Sequence, residues 1–277
     1  MENINADCAF MIGATHSICQ DYAIAINDPT SVHVVVSDGC SSSPDTDIGA
    51  RLVARAASQL MSRSVYDNPY VLHHEAVRLA LGWAKEIGLS DESVDATLLT
   101  ATVQEKELIV GVSGDGVVVL ESHQGDIDLF SISFPGAFPL YPSYAHQPDR
   151  FAAWRMNCTA LKEVRQFRID GPHGELELLA TTTGNELTQE FRVDAREYRF
   201  VALLSDGIHS FYKTLNDVTT RHTVSVSLDD IISEVVAFKS GHGRFVARRA
   251  KQFAKRSQLM GRQHADDLAV GAIYLGG

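Results

Sequence analysis

The chain has 277 residues, of which 45% are hydrophobic and 21% charged, with a formal charge of −11. The length suits a single domain over 1–277 built on a large two-layer β fold, and the acidic average field would repel a nucleic-acid duplex. No stretch approaches the roughly 18 consecutive apolar residues of a membrane-spanning helix, so no membrane partner is expected.

Residues 1–7 carry two acids, no base and no long apolar run, unlike a signal peptide. The four cysteines, Cys8, Cys19, Cys40 and Cys158, are scattered without a C-x-x-C pair. That pattern fits neither a disulfide framework nor a zinc site, and a reducing cytoplasm is expected, with the chain a monomer.

The first strands read as 8–12, 22–26 and 32–37. The last is a nearly continuous apolar run, as a strand buried on both faces requires. A turn, Asp38-Gly39-Cys40-Ser41-Ser42, follows it. Ser43 then suits a helix N-cap, Pro44 the first helical position, and Asp45 and Asp47 the positive end of the dipole. Ile48, Leu52, Val53, Ala56 and Leu60 give that helix an apolar stripe. A second helix from Pro69 carries Leu72, Ala76, Leu79, Ala80 and Trp83, and Gly88 stops it.

Residues 93–134 read as a four-stranded meander over 96–104, 107–112, 117–122 and 127–133. Prolines at 135, 139, 142 and 148 mark an irregular insertion over 135–163, either a flap over a site or a packed surface loop. Strands resume at 163–169, 176–183 and 198–204. Helical segments follow at 208–212, 228–238 and 245–259, then a last strand at 268–275. Early and late helix pairs around many consecutive strands predict an α+β protein of two packed sheets with helices outside. Between Lys239 and Arg262 lie eight Lys or Arg and no acid. This is a solvated helix face or, on a sharper reading, a docking surface for an acidic or phosphorylated partner.

One pattern recurs: an apolar strand, a small residue, Asp, then Gly. It appears as Val36-Ser37-Asp38-Gly39, as Ser113-Gly114-Asp115-Gly116 and as Leu204-Ser205-Asp206-Gly207. Asp266-Asp267 precede the final strand and Asp21 precedes the second. Taken singly, each Asp-Gly reads as a turn. Together, carboxylates at the mouths of buried strands need partners, and no Lys or Arg lies within three residues of Asp38, Asp115, Asp206 or Asp266. If the mouths converge, hard cations such as Mg²⁺ or Mn²⁺ suit an all-oxygen ligand set.

In order and spacing these residues resemble the metal-dependent protein phosphatases, the type 2C serine/threonine class in its bacterial form. The opening motif corresponds to Gly13 through Asp21, followed by Asp38-Gly39 before a long helix. Asp95-Ala96-Thr97, Gly114-Asp115, Ser205-Asp206-Gly207 and Asp266-Asp267-Leu268 complete it. The resemblance implies a four-layer α-β-β-α sandwich of two mainly antiparallel sheets flanked by helix pairs. It implies two divalent ions, Mn²⁺ or Mg²⁺, with Asp38 bridging them. Asp206 and Asp266 would bind the first, and the Gly39 carbonyl and Asp21 the second. Asp115 with Asp206 would form a weaker third site. The implied reaction is hydrolysis of a phosphorylated protein by a water shared between the ions, with Asp21, Asp38 and His16 as the catalytic set.

Two positions depart from that pattern. His16 stands where the family has a phosphate-binding Arg, and an imidazole offers one donor where a guanidinium offers a fork. His16 itself, Arg150 and Arg155 are the candidate phosphate contacts. Cys40 stands where a His often follows Asp-Gly. Two further readings stay open: a pseudophosphatase acting as a binding module, and an enzyme for a small phosphomonoester.

Overall fold

The computed structural model describes residues 4–134, 139–157, 161–171, 174–216 and 221–276. Its first half runs β1 (Asn5–Met11), β2 (Asp21–Asp28), β3 (Ser31–Asp38), α1 (Thr46–Arg63), α2 (Pro69–Glu86), β4 (Leu98–Gln104), β5 (Glu107–Ser113), β6 (Gly116–Ser122) and β7 (Ile127–Ser133). The second half runs α3 (Pro148–Asn157), β8 (Lys162–Ile169), β9 (Glu177–Gly184), β10 (Thr188–Asp194), β11 (Tyr198–Leu204), β12 (Phe211–Asn216), β13 (Arg221–Ser225), α4 (Leu228–Val235), α5 (Phe245–Leu259), β14 (Arg262–His264) and β15 (Leu268–Tyr274).

Alternate residues of a strand face opposite sides of its sheet, and in the central strands both sides are covered. Five strands form one antiparallel sheet in the order β10-β5-β4-β3-β2, and seven form a second in the order β1-β15-β11-β6-β7-β8-β9. Val34 and Val36 of β3 point between the sheets, where they meet Val201, Leu203, Ala269 and Ile273. Val35 points the other way, onto Val53, Ala57, Ala76 and Ala80 of α1 and α2. On the outer face of the larger sheet, Val119, Ala202, Leu204 and Val270 pack against Ile231, Phe245 and Phe253 of α4 and α5. The layers are therefore α-β-β-α, as the resemblance implied. Val34, Val35 and Val36 are all fully buried, each contributing about 1.5–3 kcal/mol of transfer free energy.

Several expectations are corrected. The four-stranded meander is split, since β4 and β5 belong to the five-stranded sheet while β6 and β7 belong to the seven-stranded one. The chain changes sheet at Gly114, whose φ is +86° and where a Cβ would lie 2.8 Å from the Thr97 side chain. The helix expected from Ser43 begins at Thr46 after Asp45 in a left-handed conformation, without a side-chain cap. Ser43 instead donates its hydroxyl to Asp95.

The helix expected at 208–212 is only a 3-10 turn, Asp206–His209, followed by β12. That strand, with β13 and β14, forms a small third sheet. A five-residue segment of mixed polarity, Ile208-His209-Ser210-Phe211-Tyr212, does not separate strand from helix. The sequence reading omitted β10, a polar edge strand without strong alternation. The insertion at 135–163 is more regular than its prolines suggested. It holds a 3-10 turn, Pro142–His146, and α3, with Pro148 opening the helix. Residues 135–138 and 158–160, with Cys158, lie outside the described residues.

Two buried histidines tie helices to the five-stranded sheet. His33 contacts Ser58 of α1 at 3.0 Å through Nε2. His73 of α2 contacts Ser113 at 2.7 Å and Thr100 at 2.8 Å. Burial lowers their pKa values to about 4 and about 3 from 6.5. The unfolded chain therefore takes up protons on these rings before the folded one does, and their neutral form stabilises the fold above about pH 6.5 and ceases to as pH falls towards 4. Replacing His73→Gln should cost about 1–3 kcal/mol at neutral pH, with a gap to wild type that narrows between pH 6.5 and 4 in urea melts. A gap constant across that window would contradict this assignment.

Candidate metal centre

The strand ends that the Asp-Gly pattern marked meet at one end of the sandwich. Asp21 at the start of β2 pairs in register with Asp38 at the end of β3. Leu98 at the start of β4 pairs with Ser113 at the end of β5, so Asp115 leaves from the same end. Leu204 at the end of β11 pairs with Val117 and Val270, which places Asp206, Asp115 and Asp266 together.

The carboxylates are held by their neighbours. Ser205 donates its hydroxyl to Asp21 Oδ2 at 2.6 Å and accepts from the Ala269 amide at 2.9 Å. The Asp38 amide donates to Thr97 Oγ1 at 3.1 Å, and its carbonyl accepts from the Thr97 amide at 2.8 Å. The Asp266 amide donates to Ser210 Oγ at 3.1 Å. Asp267 is 1% exposed, and its two oxygens accept from the amides of Gly13 at 2.7 Å and Gln20 at 2.6 Å. It thus staples both ends of the 13–20 loop to the last strand. At Gly207, a Cβ would fall 1.7 Å from the Asp267 carbonyl oxygen, so that approach demands glycine.

Burial and mutual repulsion set the charge state. Burial pushes Asp21 up to about 7, and the charges of Asp206 and Asp267 act in the same direction. Asp38 rises well above the usual carboxylate range, first through burial and then through Asp21 and Asp206. Asp115 and Asp266 rise for the same two reasons, burial and the charge of Asp206. Two oxygens, Oδ1 of Asp21 and Oδ1 of Asp206, are buried without any hydrogen-bond partner.

Among the described residues, no three His, Cys, Asp or Glu side chains already surround a point where an ion could sit. The five carboxylates nevertheless fit hard cations on chemistry. The donor set is all oxygen, two of its atoms lack partners, and like charges this close need a counter-charge.

His16 lies against this cluster, its Nδ1 3.0 Å from Asp267 Oδ2 and its Nε2 3.5 Å from Asp266 Oδ1. The Asp267 carboxylate chiefly holds its pKa above the ordinary imidazole value, with Asp266 and Asp21 adding to that. Arg150 has its guanidinium on Asp95, at 2.9 and 2.5 Å. Arg155 lies over the Phe151 ring, 5.9 Å from its centroid.

The sequence reading gave no role to Asp267, Ser205, Asp95 or Tyr141. Asp267 carried a signal, as the residue between Asp266 and a buried strand. Ser205 was the small residue of the repeating pattern. Tyr141, 5% exposed, sits in a proline-rich stretch without periodicity.

A family model described as protein phosphatase 2C matches residues 13–248. None of the curated proteins matches the chain. Among solved structures, the Mycobacterium tuberculosis serine/threonine phosphatase PstP/Ppp is similar with a TM-score of 0.55 and 15% identity over 99% of each chain. Serine/threonine phosphatase Stp1 from Staphylococcus aureus is similar with a TM-score of 0.57 and 13% identity, over 99% of this chain and 96% of that one. RsbX in complex with magnesium has a TM-score of 0.50 and 12% identity, over 100% of this chain and 97% of that one. At these identities the structural likeness concerns the fold.

Replacing Asp267→Asn puts an amide NH₂ against one of two buried N–H donors. Metal-free stability should fall by about 1–3 kcal/mol, with faster hydrogen exchange at Gly13 and Gln20. Unchanged exchange at both amides would contradict the staple.

Proposed function

The chain belongs to the protein phosphatase 2C family, and from that premise we propose that Asp21, Asp38, Asp115, Asp206 and Asp266, with the Gly39 carbonyl, hold Mn²⁺ or Mg²⁺ for hydrolysis of phosphoserine and phosphothreonine esters. The protein is a metal-dependent serine/threonine protein phosphatase, a hydrolase. The observation that carries the site assignment is the pair of partnerless buried oxygens on Asp21 and Asp206, within a cluster where burial and neighbouring charges hold Asp21 and Asp38 above the usual carboxylate range. When bound, such ions lower the pKa of a water and offset charge on the phosphoryl oxygens.

The chain's own residues supply position and charge. Asp38 and Asp21, paired across β2 and β3, present two carboxylates from rigid strand ends. Ser205 fixes one Asp21 oxygen and leaves the other free to bind. Asp206 and Asp266 come from neighbouring strands of the larger sheet, and Asp115 closes the cluster from the link between sheets. Asp21, Asp38, Asp206 and Asp266 would hold two ions that offset most of this charge, and Asp115 with Asp206 would hold a third more weakly.

His16, its ring between Asp266 and Asp267, is the nearest counterpart of the family's arginine. It offers a phosphate less than a guanidinium would. The whole chain acts as one phosphatase domain, monomeric and cytoplasmic. The free thiols of Cys8, Cys19 and Cys40 agree with a reducing compartment, and no described helix is long and apolar enough to cross a membrane.

Purified protein with Mn²⁺ is expected to hydrolyse phosphoserine and phosphothreonine peptides as well as an aryl phosphate. Asp38→Asn should reduce turnover by roughly 10²-fold or more, the range for loss of one preorganised electrostatic group. Equal turnover in wild type and Asp38→Asn would overturn the assignment, and turnover of small esters alone would exclude protein substrates. His16→Arg should lower the peptide KM, whereas an unchanged KM would remove His16 from the phosphate contact.

A further inference from the structure

Asp95 is fully buried and joins two segments far apart in sequence. Its carbonyl accepts from the Cys40 amide at 2.8 Å, and its Oδ2 accepts from the Ser43 hydroxyl at 2.9 Å. Both partners belong to the turn that follows Asp38-Gly39. From the other side its carboxylate accepts from the Ser143 hydroxyl at 2.7 Å and from both terminal nitrogens of Arg150, at 2.9 and 2.5 Å. These donors belong to residues 139–157 of the insertion. Arg150 also stacks over Tyr144, 4.8 Å from its centroid, and Tyr144 meets Tyr141 edge-on at 5.8 Å. Tyr141 is itself buried, 5% exposed. The turn and the insertion are therefore held to each other through Asp95.

We propose that Asp95 and Arg150 are positioning residues for the metal centre: their ion pair docks residues 139–157 onto the Asp38-Gly39-Cys40 turn and fixes the turn in its metal-binding shape. The proposal rests on the metal-dependent reading above. A bidentate guanidinium–carboxylate pair fixes orientation as well as distance, and groups that orient metal ligands change metal affinity by roughly 10–100-fold when removed. Coupling of this kind is reciprocal: metal binding steadies the docked segment by the same factor by which docking strengthens metal binding. A protein substrate that presses on residues 139–157 would thereby act on metal affinity.

The test is calorimetric titration of Mn²⁺ into wild type, Arg150→Gln and Arg150→Lys, with hydrogen exchange over 142–157 read with and without Mn²⁺. Arg150→Gln is expected to weaken Mn²⁺ binding about tenfold or more, with Arg150→Lys in between. Peptide KM at saturating Mn²⁺ should change little. Mn²⁺ should slow exchange over 142–157 in wild type and much less in Arg150→Gln. Unchanged Mn²⁺ affinity with a raised peptide KM would overturn the proposal and make Arg150 a phosphate contact. Unchanged Mn²⁺ affinity and exchange would overturn it outright. Asp95→Asn repeats the comparison from the buried partner, and Arg150, 31% exposed, remains decisive if that variant does not fold. Absence of turnover in wild type would sink the phosphatase reading, while the Mn²⁺ titration would still decide the latch.

Discussion

Repulsion among five aspartates at one end of a β sandwich is the constraint around which the molecule is arranged. Asp206 stands at its centre, because its charge raises the pKa of Asp21, Asp38, Asp115 and Asp266 alike. A fold that gathers these groups by burial alone would favour their neutral forms. The scaffold instead fixes Asp21 through one oxygen and leaves Asp21 Oδ1 and Asp206 Oδ1 buried without a hydrogen-bond partner. Cations would supply the compensation such a cluster requires, and would turn a site of repulsion into one able to polarise a phosphate.

The sandwich makes that gathering rigid. Strands buried on both faces do not slip, because a one-residue shift would exchange the side chains facing the helices with those facing the other sheet. Val34, Val35 and Val36 lock β3 in register, so Asp38 has one place to go. The same alternation at the start of β15 sends Asp267 inward to hold the 13–20 loop and leaves Asp266 at the cluster. Acid has opposite effects on two parts of the structure. The neutral buried His33 and His73 lose their stabilising advantage as pH falls, whereas protonation of metal-free carboxylates relieves their repulsion.

Much of this was legible in the sequence. The repeating Asp-Gly after an apolar strand located Asp38, Asp115 and Asp206, and α2, α5, β7 and β11 lay where composition and periodicity put them. The resemblance, more than periodicity, supplied their convergence and the four layers. Three-dimensional contacts without a local signature were illegible. Asp95 opens the motif segment Asp95-Ala96-Thr97, but only the fold brings Ser143 and Arg150 to its carboxylate. Arg150 was legible as an isolated cation in an irregular stretch, which made it a candidate phosphate contact, whereas its guanidinium lies on Asp95. The small sheet around β12 was missed because the five residues 208–212, three of them apolar, carry no decisive period, and the change of sheet at Gly114 because local sequence does not report which sheet a strand joins.

The central claim is that the cluster is built around cations, and stability with and without them tests it directly. Thermal melts of wild type and Asp206→Asn should be compared in chelator and in excess Mn²⁺. The variant is predicted to melt above wild type in chelator, where loss of Asp206 relieves repulsion, and below it in Mn²⁺, where wild type gains about 2.7 kcal/mol at a hundredfold excess over Kd. A wild-type melting temperature indifferent to Mn²⁺, or a difference of the same sign in both conditions, would contradict the account.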